Sequence, residues 1–297
     1  MSIKPGELIK LSNVQKPYVI FETDDFLVFY KPPFWKMDTS RKYDINNIYE
    51  LKKVFRYNPP LHVYIGLWLK VNHGITPDND SYNAVQRYDV QTSGGIIVVK
   101  QNKLFMPFRK IISLKKDTVK IYLTLVNGVP KYKSGFIKKN IICTKTVPQY
   151  CKTIDGKDGR FALSYYHVVS EYEDNNNNKY SLIQVRIMTG VTHQIRVHMK
   201  SIGTPCVSDY KYLDEVKLEE NKLLCKRVFL HNFYLSIKYN NINYAVKIEP
   251  STDLLQVLDK LTLTNKFIHY MDIHCDLLKT NYNNNKNYSI KDSKKEN

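Results

Sequence analysis

The sequence predicts an α+β domain built on a mixed, largely antiparallel sheet. Three observations carry this reading. Apolar, β-branched runs outnumber segments with helical periodicity. Several of those runs come in pairs separated by short polar turns, as hairpins do. The run Ile96-Ile97-Val98-Val99 has no polar face and reads as a strand buried on both sides. With 297 residues and 43% hydrophobic content, the chain suits one large domain or two modest ones with ample core.

The elements follow in order. Residues 1–16 read as a polar lead-in. Tyr18 to Glu22 and Phe26 to Tyr30 are strand-like runs split by Asp24-Asp25, and Lys31-Pro32-Pro33 ends the second because proline cannot continue a ladder. Ile48, Leu51, Val54 and Phe55 sit at helical spacing and predict an amphipathic helix over 46–56, closed by Pro59-Pro60. Residues 61–71 are mostly apolar and fit either a strand or a buried helix. Residues 74–80 form a loop, and a strand over 95–100 follows. Asn102 is placed to cap a helix over 103–114, with Pro107 distorting its first turn or delaying its start.

A strand is expected from Val119 to Val126, ended by Gly128. Residues 129–160 look irregular and Lys-rich. Strands over 161–172 and 180–188 flank the Asn-rich loop Asn175 to Asn178. Thr192 is placed to cap a short helix that Gly203 closes near Ile202. Val228 to Tyr239 and Ile242 to Ile248 read as a hairpin around Asn240-Asn241. Ser251 or Thr252 caps a helix over 253–261. The segment 251–279 reads as a helical extension, and the Asn/Lys tail 280–297 as disordered.

Composition narrows the function classes. No apolar run approaches the roughly 20 residues that span a bilayer. No export signal is legible at the start, so a soluble, membrane-free protein of the cytoplasm or nucleus is expected, with an organelle left open. The formal net charge of +17 favours a polyanionic partner such as nucleic acid. The chain is also rich in lysine, asparagine, isoleucine and tyrosine, so the charge permits RNA binding without requiring it. The five cysteines are widely spaced and form no Cys-x-x-Cys pair, which argues against a disulfide framework or a structural zinc site and for a reducing compartment.

Four stretches call for a chemical explanation. Arg87-Tyr88-Asp89 leads through Thr92-Ser93-Gly94 into the buried strand. Lys120-Ile121-Tyr122-Leu123 lies on the next strand. Gly190-Val191-Thr192-His193-Gln194-Ile195-Arg196-Val197-His198 opens a helix, and Phe229-Leu230-His231 opens a strand. Taken alone, Asp-x-x-Thr-Ser-Gly is a plain turn in which the side chains bond their own backbone. Arg196 alone would be an ordinary exposed helix arginine, and Tyr122 a core strand tyrosine.

In this order and spacing, the four stretches resemble the motifs of the RluA-type pseudouridine synthases: His-Arg-Leu-Asp-x-x-Thr-Ser-Gly, Lys-x-Tyr-Leu, Gly-Arg-Thr-His-Gln-Ile-Arg-x-His and Phe-Leu-His. The strand pair ending in Lys31-Pro32 is similar to the family's start, and the resemblance covers roughly residues 18–250. It implies a catalytic domain over 17–250, with helices flanking a sheet around a central cleft and an insertion at about 40–80. Departures are visible. Gln86 stands where the family has His, Tyr88 where it has Leu, Val191 where it has Arg, and Pro33-Phe34 where it has Ala-Gly. The small N-terminal RNA-binding domain of many members is not seen.

The resemblance implies isomerisation of uridine in tRNA or rRNA by a monomer. The reaction breaks the N1–C1′ bond and rejoins the base through C5, exchanging a C–N for a C–C glycosidic bond without redox change. No cofactor and no metal are therefore expected. Asp89 is the implied catalytic carboxylate, acting either as nucleophile at sugar or base or as a base at the sugar C2′. Arg196 is its implied partner, since a neighbouring guanidinium favours the ionised form of a buried carboxylate. Tyr122 is implied to stack on uracil and is a candidate general base. Arg87 is implied to hold RNA with the nucleotide flipped out. Thr92, expected to shape the turn, His193 and Lys200 complete the candidate RNA contacts, and the Lys-rich 131–145 and 152–160 segments are candidate backbone contacts. His193 and His198 lie five apart, off a common helix face, and with His62 and His231 read as structural. The competing readings are a catalytically silent RNA-binding factor and a ribonucleoside hydrolase.

Overall fold

The computed structural model describes residues 15–37, 47, 60–114, 116–145, 149–274 and 277–278. Its frame is an eleven-stranded sheet: β1 (Tyr18–Glu22), β2 (Phe26–Lys31), β3 (Ser93–Val99), β4 (Thr118–Asn127), β5 (Ser134–Cys143), β6 (Cys151–Ile154), β7 (Arg160–Glu173), β8 (Lys179–Ile187), β9 (Leu230–Tyr239), β10 (Ile242–Lys247) and β11 (Thr262–Lys266). The spatial order is β1-β2-β3-β9-β4-β8-β7-β5-β6, with β10 on β9 and β11 on β7. Every pairing is antiparallel except β3 with β9, where Ser93 meets His231 and Gly94 meets Asn232. The predicted mixed, mainly antiparallel sheet is what forms.

Among the described residues, five α-helices pack around it: α1 (Leu61–His73), α2 (Phe105–Leu114), α3 (Gln194–Ser201), α4 (Glu215–Leu224) and α5 (Thr252–Asp259). The apolar stretch 61–71 thus resolves as helix. Gly74, left-handed at φ 69°, ends α1 and donates its N–H to Lys70. Ile96 to Val99 are fully buried: Ile96 and Val98 pack with α1, while Ile97 and Val99 pack with Phe105, Phe108 and Ile112 of α2. This is why the run shows no alternation. The inner face of β4, β7 and β8 is covered by Leu254, Val257 and Leu261 from and just after α5.

Several expectations need correction. Asn102 caps no helix: a 3-10 turn over Asn102–Leu104 precedes α2, and the Asn102 amide instead joins Thr76 and Asn83. Pro107 falls in the first turn of α2, where its missing N–H has no partner to lose. The stretch 129–160 is not irregular. It holds β5 and β6, strands whose lysines are exposed or half-buried and whose buried contribution is carried by Ile137, Ile141 and Cys151. Pairing of these strands sets Cys143 opposite Cys151, and the two are joined in a disulfide, against the expectation of reduced cysteines. Helix α4, whose Asp214 cap accepts the Lys217 N–H, was not expected. The 251–279 extension is not wholly helical, since β11 adds to the edge of β7. The predicted helix over 46–56 and the 280–297 tail lie outside the described residues. Among the described residues, no helix is long and apolar enough to cross a membrane.

Candidate active site

Three chain segments, joined by Arg109 and Ile112 of α2 and Leu230 of β9, converge on a cleft of about 440 Å³. The loop before β3 brings Gln86 to Asp89 and Thr92. Strand β4 brings Lys120 and Tyr122, two residues apart and so on one face. The turn into α3 brings Val191 to Arg196. At Tyr122 the register of β4 against β9 shifts, a local irregularity of the kind that re-aims a strand side chain. Six of the seven residues named from the sequence line this cleft: Asp89, Tyr122, Arg196, Arg87, Thr92 and His193. Lys200 does not. Its ammonium lies outside, 5.9 Å from the Tyr212 ring.

Arg196 is the centre of the electrostatics. Its Nη1 donates to Asp89 Oδ2 at 2.9 Å, as expected of the pair. Its Nε and Nη2 donate to both oxygens of Asp209, at 2.7 and 2.6 Å. Asp209 is fully buried, whereas the Asp89 side chain is 30% exposed to the cleft. Burial alone would lower the pKa of Arg196, but the Asp209 bonds, and then Asp89, outweigh it and raise the pKa above its ordinary value. Two carboxylates around one guanidinium leave the cluster one formal negative charge, and the partner that reaches the cleft is Asp89.

His193 is not part of the helix face. It precedes α3 in the left-handed region, at φ 55°. Thr192 therefore does not cap α3; instead Gln194 Oε1 takes the Val191 N–H and the Thr189 hydroxyl. The Tyr212 hydroxyl accepts the Cys151 N–H at 3.2 Å and lies 2.7 Å from His193 Nδ1. Donation from that hydroxyl to Nδ1 places the ring proton on Nε2, which lies 3.8 Å from Asp89 Oδ2. Burial, with Asp89 opposing it and Arg196 and Lys211 adding to it, pushes the His193 pKa down to about 4. At neutral pH the imidazole is an uncharged neighbour of Asp89.

The turn carrying Asp89 is held from beneath. The Thr92 N–H closes it on the Asp89 carbonyl at 3.1 Å. Lys31, fully buried at the end of β2, donates to the carbonyls of Pro32, Val90 and Thr92. Its pKa is driven well down, first by burial and then by Arg227. The intervening carbonyl, Gln91, accepts from Arg227 Nη1 at 2.9 Å. Arg227 in turn binds Asp253 and the hydroxyls of Ser93 and Ser251. Ser93 lies 2.9 Å from His231 Nδ1, and His231 Nε2 lies 2.9 Å from the Ile248 carbonyl. Gly94 must stay glycine, since it sits at φ 130° and a Cβ there would lie 2.5 Å from the Asn232 carbonyl oxygen.

Two departures from the family motif, Gln86 and Tyr88, bond each other. Gln86 Nε2 donates to the Gly95 carbonyl and the Tyr88 hydroxyl, and that hydroxyl donates to the same carbonyl at 2.6 Å. The Tyr88 ring meets Tyr122 edge-on, centroids 6.0 Å apart. Burial raises the pKa of both phenols, so each keeps its proton at neutral pH. His198 is buried against Ser164 and His231 against Ser93, as structural residues are. The buried His62 packs beside Tyr82. The sequence reading missed Asp209, Tyr212, Lys31 and Arg227. Two of these had a visible signal: Lys31 in the Lys31-Pro32 that ends the first strand pair, and Asp209, a carboxylate set among tyrosines in Ser208-Asp209-Tyr210-Lys211-Tyr212, shortly after the glycine that closes α3.

A profile of RNA pseudouridylate synthases matches residues 73–201, which include the loop before β3, Tyr122 and α3. An uncharacterized RNA pseudouridine synthase of Helicobacter pylori is 29% identical over 221 residues, 74% of this chain and 71% of the relative. The ribosomal large subunit pseudouridine synthase C of Rickettsia prowazekii is 31% identical over 161 residues, 52% of this chain and 49% of the relative. Among solved structures, human RNA pseudouridylate synthase domain containing 1 superimposes with a TM-score of 0.65 at 18% identity, covering 91% of this chain and 97% of that one. Fold and sequence together define an RNA-modifying isomerase. Over residues 73–201 the chain carries the RNA pseudouridylate synthase match, and it is similar to the RluA type.

Proposed function

We propose that this enzyme isomerises specific uridines of a folded ribosomal or transfer RNA, with Asp89 as the reacting carboxylate. The observation that carries the reading is the charge arrangement at Arg196. Its guanidinium is already neutralised by buried Asp209, so Asp89 is oriented by the third donor and remains the anionic group facing the cleft. The name of the Rickettsia relative favours large-subunit ribosomal RNA.

In the reaction the N1–C1′ bond breaks, the uracil turns over, and a C5–C1′ bond forms. C5 then loses its proton and N1 carries one, so atoms and electrons balance without a co-reactant. Asp89 serves either as nucleophile or as base at C2′. Tyr122 offers its ring as the wall on which uracil stacks. Because its phenol is protonated, it takes the C5 proton only by passing its own onward. Arg87, exposed at the cleft mouth, steadies the RNA with the nucleotide extruded, and Thr92 holds the turn. His193 contributes a neutral N–H near Asp89, and Lys200 a backbone contact beyond the rim.

The test is a transcriptome-wide search for pseudouridine by carbodiimide-dependent reverse-transcription stops, in cells lacking the gene and rescued with wild type or Asp89→Ala. Stops that vanish and return only with wild type support the proposal and name the substrate. An unchanged map, with purified wild type inactive on the RNA it binds, would leave an RNA-binding factor on this fold. Release of free uracil would identify a hydrolase.

A further inference from the structure

Phe34 occupies a conformation that its side chain does not favour. Its φ of 67° lies in the left-handed region, which suits glycine and is an outlier for a bulky aromatic residue. The resembling family has glycine here, in the Ala-Gly that Pro33-Phe34 replaces. Burial does not repay the strain, because Phe34 is 41% exposed. Its neighbours go the other way: Pro33 is buried, and Trp35 is fully buried against Tyr64 in the cluster beneath α1. The chain is anchored on both sides, so the Phe34 ring is held out at the surface.

The place where it is held matters. The Phe34 N–H donates to the Val90 carbonyl at 2.8 Å, which pins Phe34 to the residue following Asp89. Val90 is itself 41% exposed, so an aromatic ring and an aliphatic side chain meet solvent together beside the turn that carries Asp89. Strain retained at a functional turn, with no packing gain, points to a ligand contact.

Resting on the reading of Asp89 above, we propose that Phe34 is a stacking platform for a base of the RNA flanking the extruded uridine. A flipped nucleotide leaves its neighbour with one face unstacked, and an aromatic ring at the rim can cover that face whatever the base. The contact is therefore sequence-tolerant. It supplies affinity and holds the strand open, while the reacting groups act inside the cleft.

The test is fluorescence anisotropy with two labelled probes, a single-stranded oligouridylate and an abasic ribose-phosphate chain of equal length. The proteins are wild type, Phe34→Gly and Phe34→Trp. Phe34→Gly should bind oligouridylate about 5- to 100-fold more weakly than wild type, and the abasic chain as wild type does. Phe34→Trp should restore binding to oligouridylate. Glycine suits the backbone at this position, so the melting temperature of Phe34→Gly should equal or exceed that of wild type, which separates lost contact from lost folding. In turnover, KM should rise more than kcat falls. Equal affinity of wild type and Phe34→Gly for oligouridylate would overturn the proposal. So would an equal loss on both probes, or failure of wild type to bind oligouridylate at all. Asp89→Ala alongside keeps the readings apart: its loss of isomerisation with retained binding tests Asp89, and its retained activity would overturn the reading of Asp89 but not that of Phe34.

Discussion

Arg196 grips Asp209 through two nitrogens before it touches Asp89 with a third. The fully buried carboxylate sets the guanidinium plane, and the plane sets where Asp89 sits. Removing one partner of a buried ion pair leaves an uncompensated charge, typically at about 3–5 kcal/mol. Asp209→Ala should therefore lose stability of that order in urea denaturation, and isomerisation should fall at least about tenfold. Arg196→Ala should be inactive and less stable. A fully active and stable Asp209→Ala would show that Arg196 does not need its second partner.

Lysine is an unusual choice at position 31, because its ammonium is fully buried. Its role in the fold is to satisfy three carbonyls, two of them in the turn that carries Asp89. Lys31→Met fills the space but takes the donor from the Pro32 and Thr92 carbonyls, at about 1–3 kcal/mol for each left unsatisfied, while the Val90 carbonyl keeps the Phe34 N–H. Stability should drop, and kcat should drop with KM little changed, because the turn loses its support rather than its RNA contacts. Unaltered kcat in a folded Lys31→Met would separate the lysine from the chemistry.

Tyr122→Phe keeps the ring and removes the hydroxyl. If the hydroxyl moves the C5 proton, RNA affinity should stay near wild type while isomerisation slows by roughly 100-fold or more. Tritium release from RNA labelled at uridine C5 reads that step directly. Wild-type release from Tyr122→Phe would leave the residue with stacking alone.

Acid should weaken the fold through three histidines, His193 of the cleft among them. Burial lowers His193, His198 and His231 alike from the usual 6.5 to about 4. Below pH 6.5 the unfolded chain takes up protons that the folded one does not, so stability present above that pH is lost as pH falls toward 4. The slope should approach about 1.4 kcal/mol per pH unit for each histidine. Urea denaturation between pH 6.5 and 5, where most carboxylates remain ionised, isolates the effect. A flat profile there would contradict neutral burial of these rings.

Much of this arrangement could be read from the chain, for local reasons. The Arg87 to Gly94 turn and the strand after it are contiguous, and the Asn240-Asn241 hairpin is set by two residues that tolerate positive φ, at 49° and 62°. What escaped was decided elsewhere in the chain. Asp209 follows α3 without periodic context, and its meaning comes from Arg196, thirteen residues earlier. Strands β5 and β6 lie at one end of the sheet order, with exposed or half-buried lysines and only isolated buried positions, so their alternation is faint. Cys143 and Cys151 are unremarkable until that pairing sets them face to face. Helix α1 was ambiguous because eight of its thirteen residues are buried, which leaves no polar stripe to reveal the period.

The cradle under the Asp89 turn has a consequence for the order in which the molecule is completed. Lys31 reaches across 59 and 61 residues to Val90 and Thr92, and Arg227 across 136 to Gln91. Arg227 is then neutralised by Asp253, a further 26 residues on. Contacts this distant in sequence bear a large loop-closure entropy and form late. A nascent chain still hidden in the ribosomal tunnel beyond residue 230 therefore exposes the whole cleft-lining sequence and both struts, yet lacks the Ser251 hydroxyl and Asp253 carboxylate that hold Arg227. Catalytic competence arrives only when synthesis has delivered α5, and pulse-labelled hydrogen exchange during refolding should find the amides of residues 89–93 among the last to gain protection.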